Sequence, residues 1–309
     1  MSDRRVRVRV PATSANLGPG FDAFGLALGL YDEASVSVAD SGIQVEVTGE
    51  GAGEVSTGDD NLVVQAMNAT FDQFGERPDG LRLHCTNTIP HGRGLGSSAG
   101  AIVAGVLAAR ALVENGEDRL DDDGCLMLAA SLEGHPDNVA ACLLGGLTVA
   151  WIDGGAHSRA YRLDPGEVSA VVFVPNAPVS TQAARGLLPA TVPHADAAAN
   201  AGRAGLLVAA LAGRPHEPVN LDLLLAATED RLHQPYRAPA MPESLALVRE
   251  LRDRRVPAVI SGAGPTVLAF CQELDSAKLA AEAPAGFVAR CLDVDGEGAV
   301  VQRGTGNGE

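Results

Sequence analysis

Between the alternating stretch LRLHC and a run rich in alanine, leucine and valine lies IPHGRGLGSSAG, residues 89–100. The run from Ala99 to Asn115 has helical periodicity, so the loop is expected to join a strand to a helix N-terminus. Such an end exposes backbone N–H groups and the positive pole of the helix dipole, and it attracts phosphate without any cationic side chain. Gly92, Gly94 and Gly96 let the backbone approach phosphate oxygens closely, while Ser97 and Ser98 offer hydroxyls to phosphate or to a magnesium ion. The plainer reading is a tight turn with Ser97 as the N-cap.

What this loop lacks narrows the chemistry further. The chain contains a single lysine, Lys278, in the alanine-rich pattern SAKLAAEA. A pyridoxal-phosphate Schiff base, a Walker A loop and a protein-kinase strand lysine each need one in a defined motif, so these three classes are excluded. A dinucleotide-binding turn also fits poorly. The glycines are spaced G-x-G-x-G, and the following helix leads to another helix, not to a strand ending in an acidic residue about 20 positions on. A net charge of -16 and a pI near 4.8 set the chain against nucleic acid and anionic membrane surfaces as partners, leaving any anionic ligand to a locally positive pocket. No apolar run is long enough to span a bilayer. The five cysteines, odd in number and without C-x-x-C spacing, read as buried apolar filler in a reduced, cytoplasmic compartment.

RVRVRV near the start alternates at period two and predicts a strand with one solvated face, and further antiparallel strands are expected in Phe24 to Tyr31, SVSV and IQVEV. Asp59 or Asp60 is expected to cap a helix through NLVVQAMNATFDQF, and a second helix follows in DDDGCLMLAASLEG. The polar, glycine-bearing stretch from Asp153 to Glu167 marks a boundary between two domains, 1–166 and 167–309. The second half shows helical patterns over residues 201–212, 220–233 and 242–253, then the strands AVISG, TVLAF, FVARCLDV and AVVQR. This mixture predicts an α+β fold with no doubly wound sheet.

Three separated segments together resemble the GHMP kinase superfamily: PATSANLGPGFDAFGLAL (11–28), IPHGRGLGSSAG (89–100) and ISGAGPTVLAF (260–270). Within it the chain is most similar to the homoserine kinases of threonine biosynthesis, through SANLGPGFD, HPDNVAACLLGG, VSTQAAR and PYRAP. The resemblance implies an N-terminal domain like domain 2 of ribosomal protein S5 and a ferredoxin-like C-terminal domain. It also implies ATP and L-homoserine as substrates, Mg2+ as the metal, and a second copy of the chain as the one protein partner left open.

The same resemblance assigns residues. ATP would lie on Pro90, His91, Gly92, Arg93, Gly94, Leu95, Gly96, Ser97, Ser98, Ala99 and Gly100, with the metal between Ser98 and Glu133. Asn16 and Asp22 would meet the substrate ammonium, Thr181, Arg185 and Arg237 its carboxylate, and Asn138 the reacting hydroxyl, with Asp137 the rival candidate as general base. The chemistry agrees with that set: a zwitterion needs an anion, a cation and a neutral polar group near the hydroxyl, and an arginine fork can bond both carboxylate oxygens. Taken alone, Asn16 and Asp22 could be turn formers around Gly18, Pro19 and Gly20, and the arginines could be solvated. Two other readings stand beside this one. A mevalonate kinase-like enzyme also binds a carboxylate but usually carries a lysine in the first motif, which Val10 to Thr13 lacks. A nucleotide-binding regulator would not need the whole set.

Overall fold

The computed structural model describes residues 5–213 and 217–304. The alternation in RVRVRV becomes β1 (Arg5–Ala15), with Val6, Val8 and Val10 buried while Arg5, Arg7 and Arg9 face outward. A register shift against β2 (Phe24–Ala39) falls between Pro11 and Ala12, and beyond it every residue of β1 is buried. The three stretches read as separate strands between Phe24 and Val47 are two: β2 runs on through SVSV, and β3 (Gly42–Gly49) holds IQVEV. Next come α1 (Leu62–Phe74), β4 (Gly80–Asn87), α2 (Ser97–Leu112), the short turn α3 (Gly116–Arg119), α4 (Asp122–Glu133), α5 (Asp137–Leu144) and the hairpin β5 (Leu147–Ile152) and β6 (Ser158–Leu163).

The expected cap of α1 is corrected by one position or two. Asn61 performs it, its Oδ1 accepting from the amides of Val63 and Val64 while Asp59 and Asp60 stay exposed. The stretch from Asp153 to Glu167 is not all linker either, since β6 lies inside it and pairs antiparallel with β5. Its alternation carries two arginines, Arg159 and Arg162, whose charges reach Asp123, Asp153 and Asp164, and this hides the strand from a reading based on hydrophobicity.

The second half contains β7 (Ser169–Pro175), α6 (Thr181–Arg185), α7 (His194–Leu211), α8 (Leu221–Ala227), α9 (Gln234–Arg237), a 3-10 turn (Ala238–Ala240), α10 (Pro242–Asp253), β8 (Ala258–Ile260), β9 (Val267–Cys271), α11 (Glu273–Ala281), β10 (Phe287–Asp293) and β11 (Val300–Gly304). The helix predicted over 220–233 stops at Ala227. The Thr228 hydroxyl turns back to the Leu224 carbonyl, and the Asp230 carboxylate accepts from the amides of Leu232, His233 and Gln234, so a new helical turn starts there.

Strands β10, β7, β9 and β8 form an antiparallel sheet in that order, the 4-1-3-2 arrangement of a ferredoxin-like unit. The other sheet has the order β11-β1-β2-β4-β3, with β5 and β6 branching from the first half of β2; the antiparallel expectation fails only for IQVEV, because β3 pairs parallel with β4 across the intervening helix α1. Three cores follow from these layers. One packs α1, α2, α4 and α5 on the first sheet, and one packs α10 and α11 on the outer face of the second. The third lies between the sheets, where Ala12, Leu17, Leu26 and Leu28 meet Val172, Leu268 and Phe270. Strand alternation separates the last two: Val171 and Phe173 face outward to α10 while Ala170, Val172 and Val174 face the first sheet.

The turn between β8 and β9 crosses onto the glycine-rich loop. A Cβ at Gly94, whose φ is +77°, would lie 2.3 Å from the Ser261 carbonyl oxygen and 2.8 Å from that of Gly264. Gly94→Ala is therefore expected to cost about 2 kcal/mol of stability in chemical denaturation; a variant as stable as the parent would show that the turn can withdraw. Of the cysteines, Cys291 departs from the expectation and is exposed, while Cys85, Cys125, Cys142 and Cys271 are buried. Burial pushes the thiol of Cys85 up to about 12 and those of Cys125 and Cys271 to about 11. Titration of the native chain with an aromatic disulfide should release one prompt thiol equivalent, with the rest appearing on unfolding; two prompt equivalents would contradict this packing.

Candidate active site

Helix α2 begins where the sequence places the phosphate loop, but not with the serine cap. Gly96 is the N-cap, with φ +73° and no side-chain cap bond, so the hydroxyls of Ser97 and Ser98 are not consumed in capping. The ladder opens with the Gly100 amide on the Gly96 carbonyl, which leaves the amides of Ser97, Ser98 and Ala99 outside it. Gly96 admits no substituent, because a Cβ there would sit 1.9 Å from Thr13 Oγ1. That contact ties the loop to the first motif: the Thr13 amide donates to the Leu95 carbonyl, and the Thr13 hydroxyl donates to Asn138 Oδ1 at 2.8 Å. Asn138 thus keeps its NH2 for a ligand. Arg93 behaves differently from its neighbours. Its guanidinium donates to the carbonyls of His91, Pro175 and Asn176, a brace between the loop and the end of β7.

Ser98 Oγ donates to Glu133 Oε1 at 2.7 Å, so the last turn of α4 does reach the start of α2. Burial raises the Glu133 pKa, and the Ser98 hydrogen bond opposes that rise. Asp137, at the first position of α5, is 3% exposed, and its Oδ1 accepts the Asn138 amide at 2.8 Å. Burial raises its pKa as well, opposed first by His135, whose Nδ1 lies 3.6 Å away.

The first motif forms a strained turn, with Asn16, Leu17 and Asp22 at φ 69°, 48° and 54°. Asn16 spans both halves: its Oδ1 accepts the Asp22 amide and its Nδ2 donates to the Gly262 carbonyl. Asn16 therefore acts as a turn former that also ties the first motif to the β8–β9 turn. Asp22 is held by Arg185 through two parallel bonds of 2.8 and 2.9 Å, and both side chains remain partly exposed. Arg237, by contrast, is 1% exposed. Its Nη1 donates to the Gly262 carbonyl and to His233 Nδ1, and Arg185 and Arg237 flank the ring of Phe21 at 5.8 and 5.4 Å from its centroid. The side chain of Thr181 lies outside the described residues. His233 and Phe21 carried no signal in the sequence beyond their closeness to Arg237 and Asp22.

Beside the α2 N-terminus opens a cavity of about 350 Å3, lined by Val10, Val47, Val55, Asn61, Val63, Cys85, His91, Ser97, Ser98 and Ala101 among others. Its walls come from β1, β2, β3, β4, α1 and α2, and no single segment of the sequence announces it. Apolar side chains share that lining with the hydroxyls of Ser97 and Ser98 and the carboxylates of Asp32, Glu33 and Asp60, and a largely apolar pocket with a few polar groups is the general form of a small-molecule site. Among the described residues there is no cluster of three or more His, Cys, Asp or Glu that would make a metal cage, and no helix is long and apolar enough to cross a membrane.

Comparison with known proteins agrees with this geometry. The family model described as GHMP kinases N terminal domain matches residues 61–146, and the one described as GHMP kinases C terminal matches residues 206–288. The chain is 58% identical over 297 residues to a homoserine kinase of Streptomyces avermitilis, covering 96% of this chain and 95% of that protein. It is 53% identical to one of Clavibacter michiganensis, covering 97% and 94%. Among solved structures, the homoserine kinase of Cytophaga hutchinsonii superposes with a TM-score of 0.83 at 27% identity, covering 96% of this chain and 97% of that one. A putative homoserine kinase of Listeria monocytogenes does so with a TM-score of 0.77 at 30% identity, covering 97% and 100%. With both family models in their expected order and relatives matched from end to end, the chain belongs to the GHMP kinase family.

Proposed function

We propose that the chain transfers the γ-phosphoryl group of ATP to the side-chain hydroxyl of L-homoserine, giving O-phospho-L-homoserine for threonine biosynthesis. What supports this reading is that Asn138 lies beside Gly96, Arg237 bonds Gly262 beside Gly94, and Asp22 pairs with Arg185, so that an anion, two cations and a neutral amide are available around the glycine-rich loop. Asp22 separates homoserine from mevalonate, which carries a carboxylate but no ammonium. Residues 1–166 form the ATP-binding domain, whose first sheet β11 extends, and residues 167–309 form the second domain, which contributes Arg185 and Arg237. The purine lies in the cavity beside Asn61 and Val63, and the phosphates lie on the amides at the start of α2. Cysteines without a disulfide support a reducing, cytoplasmic setting.

The donor set fits Mg2+, which takes one or two protein oxygens and completes its shell with phosphates and water. Ser98 Oγ and Glu133, which lie within hydrogen-bond distance of each other, would supply those oxygens. When bound, the ion neutralises charge on the phosphate oxygens. The chain's own residues do the positioning. Thr13 fixes the Asn138 carbonyl oxygen, so the Asn138 NH2 faces the reacting hydroxyl and orients it. Phosphoryl transfer through a loose transition state needs little help from a base, and the proton leaves late. The raised pKa of Asp137 favours a second reading, in which it accepts that proton.

The Asp22–Arg185 pair closes the substrate site on itself. A zwitterion replaces that one contact with two, its ammonium on Asp22 and its carboxylate beside Arg185, so no charge is left unpaired.

ADP release measured with L-homoserine, mevalonate, L-serine and a hexose in parallel should show turnover with homoserine well above the other three; equal or lower turnover would sink the assignment. Arg185→Ala should raise the homoserine KM by about tenfold or more and the ATP KM by less than about twofold, and equal effects on both would remove Arg185 from the substrate site. Asp137→Asn should keep kcat within about tenfold of the parent, because a general base contributes roughly 10²–10⁴-fold; a larger loss with unchanged substrate binding would establish Asp137 as the base.

A further inference from the structure

His233 has no part in the chemistry described so far, yet it is fully buried and both of its ring nitrogens are engaged. Nδ1 lies 3.0 Å from Arg237 Nη1, and Nε2 lies 2.8 Å from the Gly18 carbonyl oxygen. A guanidinium can only donate, so Nδ1 must accept, and the single ring proton sits on Nε2 and goes to Gly18. An imidazolium would set one N–H against another. The surroundings keep the ring neutral: burial, and next the Arg237 charge, lower its pKa against the opposing pull of Asp230. Asp230 approaches Nε2 only to 3.6 Å, and its oxygens are taken by the amides of Leu232, His233 and Gln234. The ring of Phe21, beside Asp22, stacks on the imidazole with centroids 5.2 Å apart.

The consequence falls on Arg237. Two acceptors, His233 Nδ1 and the Gly262 carbonyl, both bind Nη1 and fix the guanidinium by one corner. The opposite edge, Nε with Nη2, is the fork that matches a carboxylate. Nε is buried and has no hydrogen-bond partner among the described residues. A buried guanidinium N–H left unmatched is costly, and a ligand oxygen is what would satisfy it. We propose that His233 is a positioning residue for substrate selection: by accepting from Arg237 Nη1 while donating to Gly18, it turns the Nε–Nη2 edge towards the carboxylate of homoserine. The first motif and the Arg237 helix are thereby joined through one imidazole, so the ammonium and carboxylate subsites keep a fixed separation. The inference rests on the homoserine reading above, and the test distinguishes the two.

The probe is 3-aminopropanol, which keeps the ammonium and the alcohol of homoserine and lacks the carboxylate. In His233→Phe, which keeps the ring stack but loses acceptor and donor, the preference in kcat/KM for homoserine over 3-aminopropanol should fall by about tenfold or more, the scale of a hydrogen bond to a charged group. The ATP KM should stay within about twofold. His233→Gln, which can still accept and donate, should recover most of the preference. Arg237→Gln should abolish it, and the double variant should lose no more than Arg237→Gln alone. If Arg237→Gln loses the preference while His233→Phe keeps it, the positioning role is overturned and the homoserine reading stands; if Arg237→Gln also keeps it, the carboxylate assignment itself falls. Should His233→Phe fail to fold, nitrogen-15 spectra of the parent decide the matter. A neutral Nε2–H ring whose Nδ1 resonance moves with homoserine and ADP, but not with 3-aminopropanol and ADP, is expected; an Nδ1–H ring, or no selective shift, overturns the proposal.

Discussion

One backbone carbonyl, that of Gly262, holds the two halves of the site in register. It accepts from Asn16 Nδ2 in the first motif and from Arg237 Nη1 beyond α8, while the Gly262 amide donates to the Ala15 carbonyl at the end of β1. Its neighbours extend the seam. The Ser261 hydroxyl donates to the Gly94 carbonyl, and the Thr266 amide donates to that of Arg93. A carbonyl has two lone pairs, and here each is used by a different segment of the substrate site. The third glycine-rich motif therefore frames the first two, bonding Ala15 and Asn16 on one side and Arg93 and Gly94 on the other.

This frame explains why the site tolerates strain. Three consecutive or near-consecutive non-glycine residues with positive φ would relax in an isolated peptide. Here Leu17 is buried between the sheets and Asn16 is bonded at both ends of its amide, so the turn has no room to relax. Rigidity on the Asn16 and Arg237 side contrasts with the Asp22–Arg185 pair, which is partly exposed and made of two side chains that can part without disturbing the backbone. The Asp22–Arg185 pair is thus the less confined part of the candidate site.

Much of this was legible in the sequence where the signal is local. The glycine loop, the helix after it, the strands at period two and helix α10 all follow from patterns within a dozen residues. The α+β architecture followed from the mixture of helical and strand patterns and the ferredoxin-like second unit from the resemblance, and the strand order agrees with it. The failures share a different cause. Asn61 displaced Asp59 and Asp60 as the cap because the chain packs Asn61 inward; α8 ended early because one carboxylate, Asp230, collected three amides; β6 was masked by its arginines. His233 and the nucleotide-sized cavity were out of reach altogether, since each is assembled from segments far apart in the chain. Arg237 was weighed as a solvated residue precisely at the place where long-range packing buries it.

Strand β1 carries the first motif at its end, and its outer edge is covered by β11, with Arg5 opposite Gly304 and Arg9 opposite Val300. Residues nearly 300 positions apart must meet before that edge is closed. During synthesis the first sheet therefore waits, with a pairing edge open, until the ferredoxin-like unit has been made and β11 can return past it. Completion of the first sheet is then a late event, so a product truncated before β11 would expose the unpaired edge of β1.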